Sequence, residues 1–172
     1  MKIRNGFVSN SSSSSFIVAF PSKPRGAGET RIMVFKNASP NSIISRFDDS
    51  DKSTVKQISE FIYKDIKSKE SASLKEVEAF FQGASEYDFP NYFPKIEYGD
   101  PKDTKEEGDK RWKEYEEKTE IAAKKMAKEF YDKYKDNFIY IVEYSDNDSD
   151  FMAMMEHSEI YENLPYKVIS NH

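Results

Sequence analysis

Apolar positions along the chain fall into short β-type runs and longer helical stripes. Residues 16–20, Phe-Ile-Val-Ala-Phe, are β-branched or aromatic and run into Pro21, which predicts a strand. Residues 31–35, Arg-Ile-Met-Val-Phe, predict a second short strand. The Pro- and Gly-containing turn 21–30 would let the two pair, and a further turn at 37–41 contains Pro40. Residues 54–69 then carry Val55, Ile58, Phe61, Ile62 and Ile66 on one face at helical spacing, with Asp51 or Ser53 as the expected N-cap. Residues 73–82 predict a shorter helix with a stripe of Leu74, Val77, Phe80 and Phe81, ended by Gly83.

The pattern changes after Gly83. Tyr87, Phe89, Tyr92, Phe93 and Tyr98 are interspersed with Pro90, Pro94 and Pro101, which argues for an ordered aromatic loop over 84–103. Residues 103–135 give the clearest helical signal, with Trp112, Tyr115, Thr119, Ala122, Met126, Phe130 and Tyr134 at steps of three and four. Such a helix spans on the order of 45–50 Å, more than a compact domain needs. Part of it is therefore expected to project or to pack on a second copy as a homodimer. Gly108 is the expected start of its regular portion. The near-continuous apolar run 138–144 predicts a central strand. An acidic turn over 145–150, a short helix over 151–161 with Met152, Met155 and Ile160, a break at Pro165 and a strand over 166–170 complete the chain.

These elements assemble most economically as one α+β domain over residues 1–172. The expected sheet is small and mixed or mainly antiparallel, with two short helices and one long amphipathic helix packed on one side.

Composition narrows the function classes. Aromatic residues make up 15% of the chain, too many for one that stays unfolded. The net charge of -5 disfavours general nucleic-acid binding, and glutamates alternate with the lysines of the long helix. The absence of cysteine excludes a disulfide framework, Cys-ligated metal and thiol catalysis. No run approaches the roughly 18 apolar residues of a membrane span, and no signal-peptide core follows the basic start. A cytoplasmic, non-membrane protein is expected.

The opening string Lys2-Ile-Arg-Asn-Gly-Phe-Val-Ser-Asn-Ser-Ser-Ser-Ser-Ser-Phe-Ile17 resembles a recurrent N-terminal signature of uncharacterised proteins of tailed bacteriophages and some bacteria. The closing segment, with Val142-Glu-Tyr-Ser-Asp-Asn-Asp, Met155-Glu-His, Leu164-Pro and Ile169-Ser-Asn-His172, resembles the ending of such proteins more loosely. The long helix lies outside both matches. The resemblance implies a phage or prophage origin and an accessory role in the cytoplasm of the infected or lysogenic host.

Three groups of residues carry candidate chemistry. Arg4, Asn5, Gly6, Ser11 and Ser13 offer charge-assisted and neutral donors for a phosphate or nucleotide. Asp146, His157 and His172 form a two-histidine, one-carboxylate set suited to zinc, manganese or iron if the last strand pairs beside 138–144. Their spacing follows no zinc or calcium motif, and no Gly-rich nucleotide loop is present, so no cofactor is specified. Trp112, Tyr115, Tyr92 and Phe93 form a candidate interaction surface. The leading expectation is a phage accessory protein that binds a host or phage protein. The alternative is a small metal-dependent or nucleotide-handling enzyme using both ends of the chain.

Overall fold

A computed structural model describes residues 13–45, 52–96, 99, 103–145, 150–157 and 159–171. Its elements follow in the order β1 (Ser13–Phe20), α1 (Ala27–Phe35), β2 (Ile43–Ser45), β3 (Lys52–Thr54), α2 (Val55–Ile66), α3 (Leu74–Phe81), α4 (Lys105–Tyr134), β4 (Phe138–Ser145), α5 (Asp150–His157) and β5 (Tyr166–Asn171). The fold class is α+β, as expected. β1 lies between β4 and β5 and is antiparallel to both, and β2 and β3 form a separate antiparallel pair.

The alternation of side chains along β1 divides the core in two. Phe16, Val18 and Phe20 face α1, α2 and α5, packing with Val34, Ile58, Ile62, Met154 and Met155. Ile17 and Ala19 face α3 and α4, packing with Val77, Phe81, Met126 and Phe130. The long helix thus shares one side of the sheet with α3, while the opposite side is covered by the other three helices.

Several expectations change. Residues 31–35 do not form a strand beside β1; they complete α1. A glycine N-cap opens that helix, the Glu29 carboxylate accepts from the Arg25 amide, and Thr30 Oγ1 donates to the Gly26 carbonyl. Val34 is buried against α2, so tertiary packing overrides the β-type composition of this stretch. The helix stops at Lys36, whose φ of 52° lies in the left-handed region that is rare for side chains other than glycine.

The cap of α2 is Thr54, not Ser53, and Asp51 lies outside the described residues. Thr54 with Gln57, Ser73 with Glu76 and Thr104 with Glu107 form three reciprocal capping boxes at the starts of α2, α3 and α4. The third places the start of α4 before Gly108, which is therefore an interior helical residue rather than its beginning. Gly83 has no positive φ, so α3 ends without a left-handed glycine cap.

β4 is an edge strand rather than a central one. Its continuous apolar run reflects burial on two faces: Phe138, Tyr140 and Tyr144 enter one core, and Ile139 and Ile141 the other. β5 does not pair beside β4, because β1 intervenes. The helical segment expected over 151–161 ends as α5 at His157, and Ile160, Tyr161 and Leu164 are buried from the turns that follow. No described helix is long and apolar enough to cross a membrane.

Two substitutions test this framework by urea denaturation. Ile17 is fully buried, so Ile17→Ala is expected to cost about 2–5 kcal/mol. A Cβ added at Gly108 meets no atom within 4 Å, and its φ is not positive, so Gly108→Ala is expected to stabilise by about 0.5–1 kcal/mol.

Candidate functional site

The register of the sheet brings distant parts of the sequence together. Ser13 is opposite Ser145 on one side and Asn171 on the other. The start of β1 and the ends of β4 and β5 therefore share one end of the sheet. Of the expected ligand-binding residues, Ser13 is partly exposed at this end, while Arg4, Asn5, Gly6 and Ser11 lie outside the described residues. Asp146 and His172 also lie outside them, and His157 is described only as the last residue of α5. Among the described residues, no group of three or more metal-ligating side chains is present.

The neighbouring side chains are structural in character. Ser14 Oγ donates to Glu156 Oε1 at 3.2 Å, and both residues are buried. This pairing joins the start of β1 to the end of α5 and gives the inward-facing serine an acceptor. Deeper in the same core, the hydroxyls of Tyr144 and Tyr161 are 2.7 Å apart. Tyr140 donates to Asp65 Oδ2 at 2.6 Å, and Asp65 also pairs with Lys69 at 2.8 Å. Lys69 reaches on to the Ile141 carbonyl at 3.3 Å, which fastens α2 to the outer edge of β4.

A different arrangement surrounds Trp112. None of the residues of α4 before Ala123 is buried; its four buried residues are Ala123, Met126, Ala127 and Phe130. The first half of the helix instead lines a cleft of about 400 Å³ with Pro94, Ile96 and Gly99. Trp112 is 54% exposed and lies against Tyr115, with ring centroids 5.5 Å apart and planes tilted by 31°. The indole N–H donates to Glu116 at 3.0 Å, one helical turn on.

Arg111 Nη2 donates to Asp103 Oδ2, which anchors the wall of this cleft. A Cβ at Gly99 would meet the ends of the Arg111 and Asp103 side chains, so a larger residue there would require this pair to shift. The Ile96 amide donates to Glu86 Oε2 at 2.5 Å, which holds the opposite wall. Lys95 and Lys118 complete a lining with more cations than anions, since Glu114 is its only acidic member among the described residues.

The expected interaction residues thus separate. Trp112 and Tyr115 line the cleft together. Tyr92 is exposed but is not part of the lining. Phe93 is only 4% exposed and belongs to the core with Phe89 and Phe81, so it is not an interaction residue. Its role is to fix the loop that carries Pro94 and Ile96. Sequence reasoning passed over the cations of the cleft. The signal was present, because Arg111, Tyr115 and Lys118 recur at helical spacing and share the face beside Trp112.

The tyrosine cluster yields a pH test. Burial pushes the phenols of Tyr140, Tyr144 and Tyr161 well above the ordinary value of 10. A pKa higher in the folded than in the unfolded chain contributes stability that is present below pH 10 and lost as pH rises beyond it. In an alkaline titration followed by tyrosinate absorbance, these three of the 11 tyrosines are expected to ionise only as the fold is lost. In denaturant all 11 should titrate in one step near 10.

No protein-family model, curated protein or solved structure matches the chain, and the functional reading rests on its own residues.

Proposed function

We propose that this protein works by binding a partner protein through the cleft between α4 and the 94–96 segment. The carrying observation is the exposed Trp112–Tyr115 pair on the half of a 30-residue helix that has no buried residue. Tryptophan is among the side chains that most often dominate protein interfaces, and here it lines a cleft beside a second ring. The flanking Lys95 and Lys118 favour a partner that presents an apolar anchor between acidic residues, Arg111 being paired with Asp103. In the setting that the terminal signatures imply, that partner is a host or phage protein in the bacterial cytoplasm.

The enzyme alternative keeps one supporting observation, the convergence of Ser13, Ser145 and Asn171 at one end of the sheet. Elemental analysis of native protein discriminates it. A stoichiometric metal that disappears in His157→Ala supports that reading, and a metal-free protein of full partner affinity supports the docking one.

A photo-crosslinking amino acid at position 112 is expected to capture one protein in producing cells, and the same residue at exposed position 117, outside the cleft lining, is not. With that partner purified, Trp112→Ala should weaken binding by about 2 kcal/mol or more, roughly 30-fold. Its thermal midpoint should stay unchanged, because the side chain lies outside both cores. Undiminished affinity in Trp112→Ala would overturn the proposal. A concentration-dependent dimer abolished by Trp112→Ala would identify the partner as a second copy.

A further inference from the structure

The two edges of the three-stranded sheet are treated differently. On β5 the Ser170 amide donates to Asp88 Oδ1 at 3.0 Å, so the 85–93 segment covers that edge. On β4 the outward-pointing residues follow from the contacts of Ile139. Its amide donates to Ser71 Oγ at 2.9 Å, and its carbonyl accepts from the Ala72 amide at 2.9 Å. Neither bond runs to β1, so the odd-numbered residues of β4 direct their backbone groups away from the sheet. Lys69 takes the next outward carbonyl, that of Ile141. The connection between α2 and α3 covers the edge only this far. Glu143 follows, and its backbone N–H and C=O point outward with no partner among the described residues.

Two clefts meet at this point. One, of about 390 Å³, lies on the α3 side and includes Phe80, Ile141 and Ile169. The other, of about 430 Å³, lies on the α2 and α5 side and includes Phe61, Tyr144 and Met152. They share Lys69, Val142 and Glu143. A strand added along this edge would send successive side chains alternately to the two faces, and each face already has a cleft to receive them. The Glu143 side chain is exposed on the α3 side and makes no hydrogen bond or ion pair with a described residue.

We infer that the β4 edge at Glu143 is a strand-addition site for an extended segment of another protein, with a lysine or arginine opposite Glu143 and apolar residues on either side. Charge selects this occupant, since the other ionic group that the two clefts share, Lys69, already pairs with Asp65 at 2.8 Å. A basic residue opposite Glu143 completes a cross-strand ion pair while its aliphatic stem crosses Phe80 and Ile141. Its neighbours enter the cleft of Phe61 and Met152. A second copy paired about this residue by two-fold symmetry would set two Glu143 carboxylates against each other, which like-charge repulsion opposes. The site shares no residue with the α4 cleft and stands independently of it.

The test is fluorescence anisotropy with a labelled, end-blocked peptide Thr-Val-Lys-Val-Thr and its counterpart Thr-Val-Glu-Val-Thr. The wild-type chain is expected to bind the lysine peptide saturably and in preference to the glutamate peptide. Glu143→Lys should weaken the lysine peptide by about fivefold or more and reverse the preference. Glu143→Pro removes an N–H that points outward, so the sheet tolerates it while peptide binding is lost. Circular dichroism and the thermal midpoint check that tolerance, and the charge-reversed variant supplies the result if proline unfolds the chain. The inference is overturned if neither peptide saturates, or if Glu143→Lys leaves the preference unchanged. It is equally overturned by slow hydrogen exchange of the Glu143 amide in the free chain, which would place one of its own segments there, or by a dimer that Glu143→Lys stabilises.

Discussion

Double burial of β1 is the constraint on which the rest of the structure depends. Ile17, Val18, Ala19 and Phe20 are consecutive and fully buried, so neither face of this stretch of the strand meets water. Its backbone is equally enclosed, with β4 on one edge and β5 on the other. Both hydrophobic cores include side chains from this single strand. Where the strand turns a polar side chain into the core it must find an internal partner, as Ser14 does in Glu156, while Ser13 and Ser15 are partly exposed. The helices are arranged around this requirement. α3 and α4 close one face, and α1, α2 and α5 close the other.

The elements with one dominant local signal were legible in the sequence. The stripes of α2 and α3 and the aromatic run of β1 each determine their local structure with little help from elsewhere. Residues 31–35 misled because Ile, Val and Phe favour strands in isolation, whereas Gly26 and Glu29 upstream favour a helix start. β4 misled for another reason. Hydrophobic patterning reports whether the faces of a strand are covered and carries no information about its edges. A strand between two helix layers therefore reads as central even when one edge has no neighbouring strand.

The functional surfaces were legible only in part. Spacing placed Trp112 and Tyr115 on one helical face, but it continued that stripe into Met126 and Phe130 as though it had one role. The fold assigns the later residues to the core and leaves the earlier pair at a cleft. Phe93 and Tyr92 are neighbours of similar composition with opposite fates, because a loop turns successive rings inward and outward without a period that sequence can report. Asp88 and Lys69 were invisible for a related reason. Each acts on the backbone of a distant strand, and only the register of the sheet brings those groups into reach.

The position of β1 also shapes how the chain comes to be folded. Its hydrogen-bonding partners are the last two strands in the sequence, so the intervening helices emerge from a ribosome before either edge of β1 can be paired. Throughout that interval a five-residue apolar segment, 16–20, has no sheet to join. Native pairing must then close a loop that runs from Phe20 to Phe138, a slow step for which local helix formation gives no substitute. Assembly of this sheet consequently waits for β4 and β5, and the nascent protein carries an apolar strand without its pairing partners while α1 to α4 are made.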